Sequence, residues 1–416
     1  MTFTRPRLNE LFYPTWLIVL GLIALAGLVG GIIVFTQGLI VTNLSDLVPW
    51  GLWISVDLTA IALSAGAFMF SAAVYLLGIK RLRPVARTAV FVGMIGYSMA
   101  MMTLMLDLGR PDRAWHAVAY GNIHSPLWEV TMCVILYSMV LGLEVLPIFG
   151  NASPIKSRWP RLSGHIGKLH HLAPILAVIG LGLSLLHQSS LGAAYGVLKA
   201  RPIWYRPSLA ILFIISAMVA GPALIVLASK LAARFSSKAT VNDELLDKVL
   251  RFIGWALVGY LYFRFWDVLS MNYTYEPGRS EGLNMLTNGP LAFNFWVGEI
   301  VLGIVIPMII LLNNRLRQQS RMQILALILI VGGLAAYRWD TNMVGLLVVA
   351  GMAPQNLSPQ YTKYFPSLVE FVTVAGVIAY GLLAFTIGVR HLNVVNHQYE
   401  VTEPLETKSI IAAATD

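Results

Sequence analysis

Long apolar runs broken by short polar connectors repeat down the chain, beginning near Trp16, Trp50, Val85, Leu127, Leu172, Leu209, Leu250, Leu291, Ile324 and Leu368. Each is long enough to cross about 30 Å of hydrocarbon at about 1.5 Å of rise per helical residue. The pattern predicts an all-α integral membrane protein with about ten transmembrane helices. The connectors, such as "GNASPIKSRWPRLSGHIGKLHH" and "NYTYEPGRSEGLNMLTNGP", carry Pro, Gly and Asn. None is long enough to fold as a soluble domain, and no short cleavable leader precedes the first full-length run. Residues 1–15 and 392–416 are expected to lie outside the membrane.

Composition supports this reading, with 57% of residues hydrophobic and 12% charged, more apolar surface than a soluble domain hides. The net charge of +9 is a topology signal. Lys and Arg gather at both ends and in the even-numbered connectors, which places both termini in the cytoplasm, in a bacterial inner membrane, and argues against nucleic acid as a partner. Cys133 is the one cysteine of the chain, so the chain makes no internal disulfide and holds no iron–sulfur cluster or four-cysteine metal site by itself. Of the eight histidines, His187 alone lies well inside a run. Two facing histidines for haem are therefore not expected, His170 with His391 at the inner edge being the remaining pairing. No metal site is expected, and electrons for any redox chemistry must come from a partner.

Charges inside the runs carry the chemistry. A charge at the centre of a span costs about 2.5–3.5 kcal/mol on insertion scales, so each needs a reason. Asp57 is expected roughly 12 Å below the outer surface. Asp107 closes the third run, Glu129 opens the fourth, and His187 sits in the outer half of the fifth. Arg264 and Asp267 lie in the outer half of the seventh and Glu299 in that of the eighth. Arg338 and Asp340 close the ninth, and Glu370 opens the tenth. Glu144 alone lies near an inner end. This clustering predicts one shared polar chamber beneath the outer leaflet. Blander readings compete. Asp107, Asp340 and Glu370 are near enough to span ends to reach the headgroups. Arg264 and Asp267 are an i, i+3 pair, and Arg338 is expected to meet a carboxylate from another span.

In "VPWGLWISVDLTA", Trp50, Trp53 and Asp57 fall at helical spacing on one face, two indoles above a carboxylate; an aromatic belt would explain Trp50 but not Asp57. In "LSLLHQSSLG", His187 and Ser190 share a face, while Gln188 and Ser189 read as packing glue between helices. An imidazole exchanges protons near neutral pH. A quinone couple, which moves two electrons with two protons, would want an apolar slot, aromatic walls and a His or carboxylate at its oxygens. A proton-coupled solute transporter would want similar residues, although no convincing repeat is evident. A purely structural anchor would leave the buried charges without a purpose.

The set "VPWGLWISVDL", "LDLGRPDRAW", "SPLWE", "LHQSSLG" followed by "RPIWYRP", "FRFWD", "GPAL" and "YFPSLVE" resembles the NrfD/polysulfide-reductase membrane-subunit family, in particular its HybB-like ten-span branch. The resemblance implies two four-helix bundles, about 49–199 and 206–343, with flanking helices at about 16–37 and 367–391. It implies quinone, menaquinone favoured, bound near the periplasmic face of a respiratory oxidoreductase complex. It also implies a docked periplasmic iron–sulfur (ferredoxin-like) subunit or multihaem cytochrome c, with a further catalytic subunit. His187 and Asp57 would contact the headgroup beside Ser190, and Trp50 and Trp53 would wall the slot. Asp107 and Glu129 would lead protons to the periplasm, and Glu144 with Ser138 would extend a path inward. Asp267 and Glu299 join these proton-path candidates, with Arg264 and Arg338 balancing the buried carboxylates.

Overall fold

The computed structural model describes residues 8–150, 153–349, 360–392 and 394–397. The side chain of His170 and most of the 392–416 tail lie outside the described part. Among the described residues the fold is all-α apart from a two-residue antiparallel pairing of Val348–Val349 with Gln360–Tyr361 and an isolated parallel bridge between Thr240 and Asn396. Among the described residues, nine helices are long and apolar enough to cross a membrane: Phe12–Gln37, Leu52–Tyr75, Lys80–Asp107, Pro126–Gly150, Ala173–Gly196, Ser208–Phe235, Asn294–Leu312, Ser320–Leu347 and Leu368–His391. The seventh run of the sequence is also a long helix, Asp243–Asn272. It falls short of the others in apolarity because Arg264 and Asp267 interrupt it. The helices are numbered in the order of the runs, first to tenth.

Close backbone approaches set the crossings. The second helix is interrupted at Ala65, between Leu52–Ser64 and Gly66–Tyr75. There it crosses the sixth at Gly221, where a Cβ on Gly66 would come within 2.6 Å of the Gly221 carbonyl carbon. The "GPAL" stretch therefore supplies a backbone-to-backbone contact. Small residues at such crossings let dispersion forces act at short range, which matters where lipid removes the usual hydrophobic drive for helix association. Gly303 of the eighth helix meets Gly333 of the ninth in the same way, and Gly27 of the first meets Gly376 of the tenth.

The second helix packs on the third, and the fourth on the fifth; the sixth is flanked by the fifth, seventh and ninth. The eighth lies on the ninth, and the first and tenth pair with each other, the tenth also touching the third. The eighth helix is unusual, since Asn294–Val305 is π-helical and passes into α-helix at Ile306–Leu312. The third stops where Gly109 adopts φ +65°, a left-handed conformation that suits glycine at a helix end. Just beyond it Arg110 and Asp112 of "LGRPDR" pair at 3.1 Å on the surface.

Two stitches close the molecule. At one end Asn342 of the ninth helix donates to the carbonyls of Trp50 and Gly51 at 3.0 and 3.2 Å and to Ser55 Oγ at 3.1 Å. Tyr195 of the fifth helix donates to Asn342 Oδ1. At the other end the segment after the tenth helix lies over the start of the third and the loop after the sixth. Thr88 Oγ1 donates to the Val394 carbonyl, Thr240 N to that of Val395, and His397 N to that of Thr240.

Candidate functional site

The intramembrane charges divide into two groups, which corrects the expectation of one shared chamber. One group is closed. Arg264 donates through Nε and Nη2 to both oxygens of Glu299, at 2.7 and 3.1 Å, and through Nη1 to Asp267 at 2.8 Å. Asp267 also receives Arg206 at 2.8 and 3.1 Å and the Ser208 hydroxyl, and Tyr260 donates to Glu299 at 3.2 Å. The Arg264 guanidinium lies over the Phe295 and Tyr337 rings at 5.2 and 5.1 Å. Two cations thus face two carboxylates with every guanidinium nitrogen engaged, so the network neutralises itself. Arg206, in the connector after the fifth helix, was legible only as a topology charge.

Arg338 is a second correction. It is fully buried yet has no carboxylate within ion-pair distance among the described residues. It lies 3.6 Å above the Phe213 ring and donates through Nη2 to the Phe213 carbonyl and Ser216 Oγ, leaving Nε and Nη1 without partners. A desolvated cation–π contact of this kind contributes about 2 kcal/mol. Asp340, two residues on, turns to another helix and accepts from Asn294 at 2.8 Å. A small cavity inside this half has Ser216 and Tyr260 as its polar lining.

The other group is open in the sense that no ion pair closes it among the described residues. Asp57 is 4% exposed, and its Oδ1 has no hydrogen-bond partner. It lies within electrostatic reach of Asp107, whose Oδ1 is likewise buried and unpartnered. Asp107 in turn feels Glu370. Glu370 is already engaged: it accepts from the backbone N–H groups of Asn43 and Ser367 at 3.2 and 2.8 Å and from the Tyr364 hydroxyl, as the glutamate of a capping box. His187, 1% exposed, meets the hydroxyl of Tyr97 through Nδ1, and its Nε2 has no partner. A buried polar group left unpaired costs about 1–3 kcal/mol, so Asp57 Oδ1 and His187 Nε2, two of several such atoms on the second to fifth helices, invite a ligand. Both fit the oxygens of a quinone headgroup: a carboxyl can accept or donate, and an imidazole nitrogen can do either according to its tautomer.

Glu129 and Ser190 come together, the serine hydroxyl donating to Glu129 Oε1 at 2.7 Å. Gln188 donates to the Ile61 carbonyl of the second helix at 3.1 Å, the interhelical glue expected of it, while the half-buried Ser189 bonds within its own helix. Glu144 is half-buried with Oε2 unpartnered, and Ser138 turns to the Val134 carbonyl of its own helix.

The two tryptophans do not wall one slot. The second helix begins at Leu52, so Trp50 precedes it and helical spacing does not apply. Trp50 stacks at 5.9 Å on Trp204 and meets Tyr195 edge-on at 5.4 Å. Trp53 is buried on the other side and donates its indole N–H to Thr373 at 2.7 Å. Tyr97, Tyr137, Tyr195 and Asn342 were not singled out in the sequence, since isolated tyrosines in apolar runs read as packing or belt residues.

Residues 40–350 match the family model described as "Polysulphide reductase, NrfD". The chain is 32% identical over 384 residues to the menaquinone reductase integral membrane subunit of Nitratidesulfovibrio vulgaris, covering 90% of each chain. It is 24% identical to the Hdr-like menaquinol oxidoreductase integral membrane subunit of Archaeoglobus fulgidus, over 93% of this chain and 95% of that one. It is also 24% identical to the probable Ni/Fe-hydrogenase 2 b-type cytochrome subunit of Escherichia coli, over 85% of both. With the family model covering most of its length and a multi-pass helical membrane fold to match, the chain belongs to the NrfD polysulphide reductase family of integral membrane subunits.

Proposed function

We propose that this chain is the quinone-reacting membrane subunit of a respiratory oxidoreductase complex, exchanging electrons between quinone and a redox partner docked on the periplasmic side. The observation that carries the reading is that Asp57 Oδ1, Asp107 Oδ1 and His187 Nε2 are buried and unpartnered in the one of two charged groups that no ion pair closes. The menaquinone reductase relative favours menaquinone. The neighbour relations of the second to fifth and sixth to ninth helices support two bundles, with the first and tenth outside. The arginine-rich inner connectors support cytoplasmic termini in a bacterial inner membrane. At the opposite end Trp115, Tyr120, Ile123 and Phe365 are exposed large apolar side chains, suited to an iron–sulfur (ferredoxin-like) subunit or a multihaem cytochrome c, with a further catalytic subunit beyond it.

Bound quinone supplies a couple of two electrons and two protons. The protein's part is to hold and move the protons. His187 Nε2 gives or takes one at a headgroup oxygen, and Asp57 handles the other, with Asp107 next on the way outward. Ser190 holds Glu129 at the outer start of the fourth helix, a second outward exit. The closed Arg206–Asp267–Arg264–Glu299 network lies apart from this traffic and keeps the second half rigid.

His187→Ala in the intact complex is expected to abolish quinone turnover while partner subunits stay bound. Turnover at the wild-type rate would remove His187 from the reaction and the reading with it.

A further inference from the structure

We infer that Tyr97 is a positioning residue for His187: by engaging Nδ1 it fixes the imidazole and leaves Nε2 as the one nitrogen that exchanges a proton with the headgroup. The inference rests on the quinone reading of the site. Tyr97 of the third helix is 1% exposed. Its ring lies 4.4 Å from that of Tyr137, which is 4.5 Å from that of Phe68, so an aromatic column from three helices immobilises the phenol. The Tyr97 and His187 rings stand edge to face at 5.7 Å with the hydroxyl on Nδ1. The next residue, Gln188, ties the fifth helix to the second through the Ile61 carbonyl, which holds the helical rotation that aims His187.

Which imidazole nitrogen carries the proton is set by the bond the other nitrogen makes. A hydroxyl both donates and accepts. With Nδ1 protonated the Tyr97 oxygen accepts from it, both in the neutral ring whose Nε2 is bare and in the imidazolium whose Nε2 carries a proton, so Nε2 takes and gives its proton without an imidazolate. The ring holds its orientation through both protonation states of Nε2. A phenylalanine at this position would pack equally well and do neither, which separates positioning from mere filling of the core.

The test uses the whole complex with a short-chain menaquinone analogue. Tyr97→Phe is expected to lower kcat by on the order of tenfold or more, to leave KM within about twofold, and to shift the pH–rate profile, with partner subunits still bound. Wild-type kcat and an unshifted profile in Tyr97→Phe, with turnover lost in His187→Asn, would overturn the positioning role and leave the quinone reading standing. Wild-type turnover in His187→Asn would overturn that reading itself. A measurement on the unmutated complex guards against a variant that fails to fold. Histidine 15N spectra, with His187 assigned by its loss in His187→Asn, are expected to show two unlike nitrogens in a fixed tautomer, and a single averaged signal would overturn the inference.

Discussion

Arg264 shows how a single side chain can be indispensable without touching a substrate. Replacing it with methionine would leave Glu299 buried and charged with only the Tyr260 hydroxyl as partner, a loss of about 3–5 kcal/mol for a broken buried pair. Arg264→Met is expected to lower the thermal midpoint of the purified protein strongly. Adding Glu299→Met should recover much of the loss, because Asp267 keeps Arg206. Legibility at this scale was uneven, for physical reasons. The cost of burying a charge marked Asp57, His187, Arg264 and Glu299 correctly as residues needing explanation. Their partners were another matter. The guanidinium of Arg338 is held by a ring, a carbonyl and a hydroxyl rather than by a carboxylate, and no charge pattern announces that. Tyr97 hides because a tyrosine in an apolar run looks the same whether its hydroxyl holds an imidazole or meets the lipid headgroups.

Helix existence was legible from run length, and helix ends and bends were not. The start at Leu52 undid the pairing of Trp50 with Trp53. The π-helical turn around Glu299 has no signature in hydrophobic periodicity, although such irregularities often mark working segments of helices. The crossing of the second and sixth helices leaves no room for a side chain. In Gly221→Val the new Cβ would sit 2.5 Å from the Gly66 nitrogen, so the helices must part, at a cost of about 1–3 kcal/mol or more. A clear drop in detergent-solution stability is the expected outcome. Gly21→Ala, where a Cβ meets nothing within 4 Å, should change little, and equal losses at both sites would refute the crossing.

Across the whole molecule, the segment after the tenth helix is fastened over the third helix and the loop after the sixth, and it carries His397. That imidazole is buried with neither nitrogen partnered, and burial pushes its pKa down from 6.5 to about 4. A released segment takes up a proton between those values and a docked one does not. Docking is therefore at full strength above about pH 6.5 and weakens as pH falls toward 4, by about 3 kcal/mol in all. The protection factors of the Thr240 and His397 amides, exchange rates corrected for the intrinsic pH dependence, should fall over that window, and His397→Leu should flatten the response. The stitch at the opposite end carries a consequence for how the protein is made. The carbonyl of Gly51 waits for a donor 291 positions later in the chain. At about 5–20 residues per second of synthesis, the start of the second helix stays unfastened for roughly 15 to 60 seconds after it has entered the bilayer. A ribosome that stalls before Asn342 leaves a chain with Asp57, Asp107 and Glu129 already in place and the Gly51 carbonyl still without its donor.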